Sequence, residues 1–190
     1  MKYKVENEET VFDDFFTIKK ATIKHDSFIS DEQIKVTRLC FERGDSVAIL
    51  LHETDTNTLL FTDQFRYPTL KEGSGWMLEV TAGSIEQGED PEECAKREIA
   101  EEIGYSAQSL NFISSFFVSP GGCSERIFLY AAEVKSTDKI YDGGGLDSEH
   151  EDIKTVKIPV DNLQELFSNN AFRDAKTIIA VQWFLAKLNA

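Results

Sequence analysis

The chain has 190 residues and a formal net charge of −14 at pH 7. This length favours one domain with an appendage, and the acidic balance argues against a surface for duplex nucleic acid, which needs lysine and arginine on the phosphates. A small phosphorylated substrate is compatible with the charge, because bound divalent cations can reverse the local field. No apolar run approaches the roughly eighteen residues of a membrane helix, and the residues after Met1 lack a signal-peptide pattern. We therefore expect a cytoplasmic protein with neither a nucleic-acid partner nor a membrane partner.

The cysteines and histidines show no metal-binding pattern. Cys40, Cys94 and Cys123 are odd in number and widely spaced along the chain. Such spacing is typical of reduced thiols and not of a disulfide framework or a zinc site. The three histidines show no ligand spacing either. Any metal site must therefore be sought among the carboxylates.

The first quarter of the chain predicts strands, mostly over residues 11–53. Residues 16–23 and 33–39 alternate between apolar and polar side chains, and residues 46–51 form an apolar run short enough for a buried strand. A ribbon of two or three strands is marginal by itself. We therefore expect the ribbon to pack on another surface.

A soft domain boundary is predicted near Gly44, between the ribbon and the apolar run. It divides the chain into an N-terminal β-ribbon, residues 1–44, and a second domain, residues 45–190. In the second domain, alternation and turn residues predict more strands and two C-terminal helices. The strands cover residues 58–68, 110–118, 126–134 and 152–160, and the helices end near residues 168 and 188.

The stretch of residues 83–105 carries the strongest local signals. Asp90 can cap the N-terminus of a helix, and Pro91 can take its first position. Gly104 can end the helix in a left-handed turn. The sequence therefore predicts a helix over residues 91–103.

This helix carries an unusual set of acidic side chains. Glu98, Glu101 and Glu102 fall on one face, at spacings of three and four residues, where like charges repel by roughly 0.2–0.5 kcal/mol per pair. A divalent cation such as Mg²⁺ would turn that repulsion into attraction, because it prefers carboxylate oxygens as ligands. Arg97 can pair with Glu101 one turn on and hold the set in shape. The alternative is a solvated acidic helix face in a chain that is acidic throughout.

A long loop is predicted over residues 136–151. Loops of this length inside a compact domain are usually functional or disordered, and the run Gly143, Gly144 and Gly145 predicts backbone freedom. Beyond the run, Glu149 and Glu151 could swing over a bound phosphate and act as a general base. The alternative is an acidic loop that only keeps the chain soluble. The loop sequence alone leaves both interpretations open.

The acidic helix and the strand before it resemble the Nudix box. The residues that carry the likeness are Gly83, Glu89 and residues 97–105, REIAEEIGY. The family pattern is glycine, five residues, glutamate, seven residues, and then Arg-Glu-apolar-any-Glu-Glu-any-Gly-apolar. Every fixed position matches, although Tyr105 stands where the family more often has an aliphatic residue. The chain is therefore identified as a member of the Nudix hydrolases.

Past the box, the chain is similar to the ADP-ribose pyrophosphatase branch of this family, and most to its GDP-mannose and nucleotide-sugar hydrolases. Pro120 lies in a Ser-Pro-Gly-Gly segment, and residues 143–153 resemble the family's catalytic loop. Residues 173–179 open the last helix much as in the GDP-mannose enzymes. With the ribbon included, the likeness spans nearly the whole chain.

The resemblance implies the α+β class: the Nudix fold, an α/β/α sandwich with a mixed β-sheet, plus an N-terminal antiparallel β-ribbon shared or exchanged across a homodimer. It implies a hydrolase that uses Mg²⁺ or Mn²⁺ to split a nucleoside diphosphate-sugar of the ADP-ribose or GDP-mannose type. The products are a nucleoside monophosphate and a sugar phosphate. The alternative is a non-catalytic Nudix module that binds a nucleotide sugar, but such modules usually lack the box carboxylates.

The resemblance also implies roles for individual residues. The metal ligands are the backbone carbonyl of Ala82 and the side chains of Glu98 and Glu102, with Glu101 assisting in binding and catalysis. The loop supplies the base from Glu149 or Glu151, and both stay open because the family uses no fixed position. The substrate contacts are Arg66, Glu79 and Arg126. Alternatively, the two arginines are ordinary ions on strand surfaces.

Overall fold

The computed structural model describes residues 1–146, 148 and 150–188. The chain forms two compact units. One unit combines Met1–Asp45 with Phe117–Arg126, and the other combines Ser46–Phe116 with Ile127–Ala190. The division of the chain at residue 44, and the role of the ribbon in a dimer, stay predictions.

The first unit contains a three-stranded antiparallel sheet, which confirms the predicted N-terminal ribbon. Its strands are β1 (Tyr3–Asp13), β2 (Thr17–His25) and β3 (Ile34–Glu42), in the order β1-β2-β3. Backbone hydrogen bonds join this sheet to the later segment of the unit, since the Phe41 N–H donates to the carbonyl of Gly122 at 2.8 Å. The unit is therefore assembled from two stretches that are distant in sequence.

Strand β1 begins well before the predicted strand region, because its acidic residues face lysines on the neighbouring strands. Glu6 pairs with Lys24 of β2 and with Lys35 of β3, each at 2.8 Å. Every residue of β1 is exposed, so no apolar alternation marks the strand. Cross-strand charge pairs of this kind stabilise a sheet without burying its side chains.

The second unit is built on a mixed seven-stranded sheet with the central order β10-β5-β4-β9-β8; β6 pairs with β5, and β7 pairs with β4. Its strands are β4 (Asp45–Glu53), β5 (Thr58–Phe65), β6 (Trp76–Glu79), β7 (Thr81–Ser84), β8 (Asn111–Phe117), β9 (Arg126–Val134) and β10 (Ile153–Pro159). The predicted strand to residue 68 stops at Phe65. A 3₁₀ helix follows over Tyr67–Glu72, since Pro68 cannot donate a ladder hydrogen bond.

Helices cover both faces of this sheet, which confirms the predicted α/β/α sandwich. They are α1 (Pro91–Glu98, continued by a π turn over Ile99–Ile103), α2 (Leu163–Ser168) and α3 (Ala175–Leu188). The side chains of β4 alternate between the two cores: Val47 and Ile49 pack in the α1 core, and Ala48 and Leu50 in the α3 core. The apolar run that predicted a buried strand is therefore buried on both sides. Within the described residues, none of the helices combines the length and apolar character needed to cross a bilayer.

Candidate active site

Helix α1 begins and ends at the residues that the sequence predicted. The side chain of Asp90 accepts a hydrogen bond from the Glu92 N–H at 2.9 Å, and Pro91 takes the first helical position. At the other end Gly104 is left-handed, with φ of +78°, and its N–H donates to the carbonyl of Ala100 at 2.9 Å. The last turn, however, is a π turn. Such turns are rare and recur at functional sites.

The three predicted glutamates lie on this last part of the helix, but their exposure differs. Glu98 is 8% exposed and Glu102 is 3% exposed, whereas Glu101 keeps 22% of its side-chain surface. Two carboxylates are thus buried next to each other, and the third lies at the rim. A solvated acidic face, the alternative interpretation, would leave all three exposed.

Strand β7 makes room for one of these carboxylates by carrying a glycine. A β-carbon on Gly83 would lie 1.8 Å from Oε1 of Glu98, and real β-carbons do not approach that closely. One residue earlier, the Ala82 N–H donates to Oε2 of Glu102 at 3.2 Å. The structure therefore brings the backbone of Ala82 close to the carboxylates of Glu98 and Glu102, and the role of these residues as metal ligands stays a prediction.

Arg97 joins the outer carboxylates through its guanidinium group. Its Nε donates to Glu89 at 2.9 Å, and its Nη1 donates to Glu98 at 2.8 Å and to Glu101 at 3.0 Å. The predicted pairing of Arg97 with Glu101 is confirmed. The same guanidinium lowers the pKa of Glu89 to about 2, so Glu89 and Arg97 form a fixed charge pair beside the buried carboxylates.

Burial sets the ionisation of the two inner glutamates. It raises the pKa of Glu98 to about 7, against the lowering effect of Arg97. It raises the pKa of Glu102 to about 8, and the neighbouring charges of Glu98 and Glu151 add to the rise. Two buried carboxylates this close together resist ionisation, even though Arg97 pairs with one of them. This electrostatic arrangement is what a divalent cation would relieve.

The oxygen atoms of Ala82, Glu98, Glu101 and Glu102 are of the type that binds a hard divalent cation. The side chains are not, however, already arranged around a single point. Across residues 1–146, 148 and 150–188, no three acidic, histidine or cysteine side chains converge closely enough to hold a metal ion. The guanidinium of Arg97 instead contacts one oxygen of Glu98 and one oxygen of Glu101. Carboxylate and backbone carbonyl oxygens are nevertheless the ligands that Mg²⁺ and Mn²⁺ prefer.

The predicted loop runs back to the π turn and is bonded to it. The Gly144 N–H donates to the carbonyl of Glu102 at 2.9 Å, and the Gly145 N–H donates to the carbonyl of Glu101 at 3.0 Å. The glycine run is therefore bonded to the helix end in this structure, a contact that the sequence did not predict. Glu151 lies close enough to the buried pair to raise the pKa of Glu102. Glu149 lies outside the described residues.

Arg66 and Glu79 form a second charged group beside the carboxylates. Arg66 Nε donates to one oxygen of Glu79 at 2.7 Å, and Lys176 Nζ donates to the other at 2.6 Å. Glu79 is 5% exposed, so both of its oxygens are committed to cations. The charge of Arg66 also acts to lower the pKa of Glu102. Sequence reasoning missed Lys176, whose only signal was its place in the first turn of α3.

Arg126 belongs to the first unit, where it forms a bidentate ion pair with Asp45. Its Nε donates to Asp45 at 3.1 Å and its Nη2 at 2.5 Å. This geometry orients the guanidinium group and satisfies part of its donor set. The predicted role of Arg126 as a substrate contact stays a prediction.

Tyr105, the one departure from the box pattern, is buried and hydrogen bonded. Its hydroxyl donates to Glu53, which is fully buried, and Lys157 Nζ donates to the same carboxylate at 2.7 Å. An aliphatic residue at position 105 would leave Glu53 with fewer donors. The tyrosine is therefore explained by a buried polar network that links β4, the exit of α1 and β10.

The geometry agrees with three comparisons with known proteins. The model of the NUDIX domain family matches residues 42–181. GDP-mannose pyrophosphatase of Yersinia enterocolitica is 34% identical over 189 residues, covering 96% of each chain. ADP-ribose pyrophosphatase of Haemophilus influenzae is 32% identical over 182 residues, covering 93% of this chain and 82% of that one. A crystal structure of an ADP compounds hydrolase superposes with a TM-score of 0.75 at 21% identity, covering 100% of this chain and 95% of that chain.

Proposed function

The chain belongs to the NUDIX domain family, and on this premise we propose that it hydrolyses the pyrophosphate of a nucleoside diphosphate-sugar. The products are a nucleoside monophosphate and a sugar phosphate. The observation that carries the proposal is the buried pair Glu98 and Glu102, which lies against the backbone of β7. Glu98 fits there because Gly83 has no side chain, and Glu102 accepts a hydrogen bond from the Ala82 N–H. The substrate class is supported by the names of the two relatives, one acting on GDP-mannose and the other on ADP-ribose.

The proposed cofactor is Mg²⁺, with Mn²⁺ as its substitute. The residues that would hold it are the Ala82 carbonyl and the carboxylates of Glu98, Glu101 and Glu102. When bound, the cation neutralises the pyrophosphate oxygens and makes a water molecule more acidic. Arg97 holds one oxygen of Glu98 and one of Glu101, so the second oxygen of each carboxylate is left for the cation.

The protein's own contribution to the chemistry is a general base and a fixed set of charges. A carboxylate of the loop, Glu151 or Glu149, takes the proton of the attacking water onto one of its oxygens. Glu151 is positioned for this by a hydrogen bond from the Leu146 N–H to Oε2 at 3.1 Å. A base that is oriented before the substrate arrives needs little reorganisation during the reaction.

The proposed substrate contacts are Arg66, Glu79 and Arg126. Arg66 is held by Glu79 and keeps 40% of its side-chain surface exposed, so it can still donate from its terminal nitrogens to phosphate oxygens. Glu79 fixes its direction, and Arg126 is the third candidate contact. The homodimer and the cytoplasmic location stay predictions from the sequence.

The proposal is tested by offering a panel of nucleotide sugars, including ADP-ribose and GDP-mannose, with Mg²⁺ and measuring phosphate after a coupled phosphatase. We expect Glu102→Gln to lower kcat by about 10³-fold or more while the protein stays folded. Glu93→Gln is the matched control, because Glu93 lies on the same helix with its side chain 67% exposed. Near-normal turnover by folded Glu102→Gln would rule out its ligand role. Binding of the panel without turnover by the wild-type protein would favour the non-catalytic module.

A further inference from the structure

The loop that carries Glu151 is attached by its backbone to the same residues whose side chains are the proposed metal ligands. The carbonyls of Glu101 and Glu102 accept hydrogen bonds from Gly145 and Gly144, at 3.0 and 2.9 Å. The carbonyl of Gly104 accepts another from the loop, from Ile140 at 2.7 Å. Carbonyls in the last turn of a helix have no partner within the helix. Here the loop supplies that partner.

Only glycine fits the conformations that this attachment requires. Gly143, Gly144 and Gly145 have φ values of +72°, +113° and +84°, a region that other residues enter at a cost. The space is also closed, since a β-carbon on Gly143 would lie 2.5 Å from the carbonyl oxygen of Glu102. The glycine run (residues 143–145) is thus shaped to lie directly on the helix end.

From the glycine run, a short chain of hydrogen bonds leads to Glu151. The Ile153 N–H donates to the carbonyl of Gly144 at 3.1 Å. Between these two residues the loop closes on itself. The Leu146 N–H donates to the carboxylate of Glu151 at 3.1 Å, and the Glu151 N–H donates back to the carbonyl of Leu146 at 3.3 Å. The carboxylate of Glu151 is therefore connected to the π turn through fixed backbone.

We propose that the glycine run is a positioning element that sets Glu151 relative to the carboxylates of Glu98 and Glu102. The inference rests on the proposed function and assigns a positioning role to glycines that the loop sequence alone indicated as a source of backbone freedom. On this view the base and the metal ligands form one rigid group. A side chain at Gly143 or Gly145 meets atoms at 2.5 Å and must shift the loop that carries Glu151. The expected signature is a loss of kcat with little change in KM, because misplacing a reacting group by about 1 Å can cost about 10²-fold in rate.

The test compares two glycines with nearly the same φ, +72° at Gly143 and +73° at Gly44. Gly143→Ala meets the carbonyl of Glu102, whereas Gly44 has φ of +73° and nothing within 4 Å of its added β-carbon. We expect Gly143→Ala to lower kcat by about 10²-fold with KM within about threefold. Gly44→Ala should keep the wild-type kcat. Equal kcat in the two variants would overturn the proposal.

A double-mutant cycle shows whether the effect passes through Glu151. If it does, Gly143→Ala causes no further loss of kcat in a Glu151→Gln background, because contacting groups in one network are not additive. Gly145→Ala is the second variant, since its β-carbon would lie 2.5 Å from the side chain of Glu151 and not against the helix. It should behave in the same way. Full additivity of both alanine variants with Glu151→Gln would overturn the proposal.

Hydrogen exchange separates this inference from the proposed function. In the wild-type protein the hydrogen-bonded amides of Ile140, Gly144, Gly145 and Ile153 should be protected, and Gly143→Ala should remove that protection while the amides of α3 stay unchanged. If the wild-type protein hydrolyses none of the panel, the proposed function fails, and exchange still decides whether the run holds the loop on the helix. Unchanged protection in Gly143→Ala would show that the run does not hold the loop.

Discussion

The carboxylate of Glu98 occupies the place of a side chain on Gly83, since Oε1 lies 1.8 Å from where a β-carbon on that glycine would be. Glycine at this position therefore reflects a requirement of its neighbour and not of its own backbone, which is not left-handed. Filling the space must shift the carboxylate of Glu98 from its present position. The two residues are one structural unit although fifteen positions separate them along the chain.

The first prediction follows for Gly83→Ala. We expect kcat with Mg²⁺ to fall by about 10²-fold or more, because a displaced ligand costs at least as much as a misplaced reacting group. The measurement is steady-state hydrolysis of the best nucleotide sugar. Gly121→Ala is the control, because an added β-carbon there meets nothing within 4 Å. Unchanged kcat in Gly83→Ala would show that catalysis does not depend on the position of the Glu98 carboxylate.

A second prediction concerns the stability of the metal-free protein. The pKa values of Glu98 and Glu102 rise from 4.5 to about 7 and about 8 on folding. Between pH 4.5 and 8 the folded state therefore holds more protons than the unfolded state, and these two groups make stability fall as pH rises through that window. Urea unfolding in EDTA should show the fall. Added Mg²⁺ should reverse it, since a ligand of the native state stabilises that state.

Glu102→Gln isolates this contribution. At pH 8 in EDTA, we expect the variant to be more stable than the wild type by about 1–3 kcal/mol, because it removes a buried charge that has no cation of its own. The difference should shrink towards pH 5. Glu93→Gln, on the exposed part of α1, should leave the pH dependence unchanged. A Glu102→Gln protein with the wild-type pH slope would contradict the electrostatic account of the site.

A third prediction concerns the general base. We expect one of Glu151→Gln and Glu149→Gln to lower kcat by about 10²–10⁴-fold, the usual contribution of a positioned base, with a smaller change in KM. Glu151 is the stronger candidate, because it lies close enough to act on the pKa of both Glu98 and Glu102. Asp142→Asn controls for loop charge, since Asp142 pairs with Lys139 at an exposed position. Full kcat in both single variants and in the double variant would refute the loop base.

A fourth prediction concerns Arg66. Arg66→Met should raise KM by about tenfold or more with a smaller effect on kcat, because uniform binding of the phosphates would be lost. Arg66→Lys should restore part of the affinity, since it keeps a charge near Glu79 but not the fork of an arginine. KM and kcat on the same nucleotide sugar decide the outcome. An unchanged KM in Arg66→Met would reduce Arg66 to a structural partner of Glu79.

A fifth prediction concerns the buried network around Tyr105. Tyr105→Phe should lower the free energy of unfolding by about 1–3 kcal/mol, because Glu53 loses a hydrogen-bond donor in a fully buried place. Tyr130→Phe is the matched control, because Tyr130 is also buried in the α1 core. Its hydroxyl makes no hydrogen bond within the described part of the chain. Urea unfolding compares the two. Equal losses would show that the Glu53 contact adds nothing.

Local signals predicted the ends of α1 well, because a cap such as Asp90 and a left-handed stop such as Gly104 act within a few residues. They did not predict the π turn between them. A wheel drawn at 100° per residue assumes a regular helix. The extra residue in the last turn instead reflects packing of Ile99 and Ile103 into the core and contacts from the loop. Those contacts lie about forty positions away along the chain.

Distance in sequence also explains the other differences. Lys176 reaches Glu79 across 97 positions, and no local pattern reveals such a contact. The start of β1 was missed because the strand is stabilised by ion pairs between its acidic residues and lysines of β2 and β3, such as Glu6 with Lys24 and Lys35. These pairs are not visible in the local sequence. The glycine run was interpreted as freedom, since glycine permits both motion and close approach. The hydrogen bonds from the run to the carbonyls of Glu101 and Glu102 show that close approach occurs here.

The guanidinium of Arg97 gives the polypeptide a built-in counterion. It pairs with Glu89, Glu98 and Glu101 from within the chain, so these three acidic side chains are partly neutralised without an inorganic ion. If the proposed cation binds, it competes with this guanidinium for the same carboxylates, and its apparent affinity is lowered by the free energy of that rearrangement.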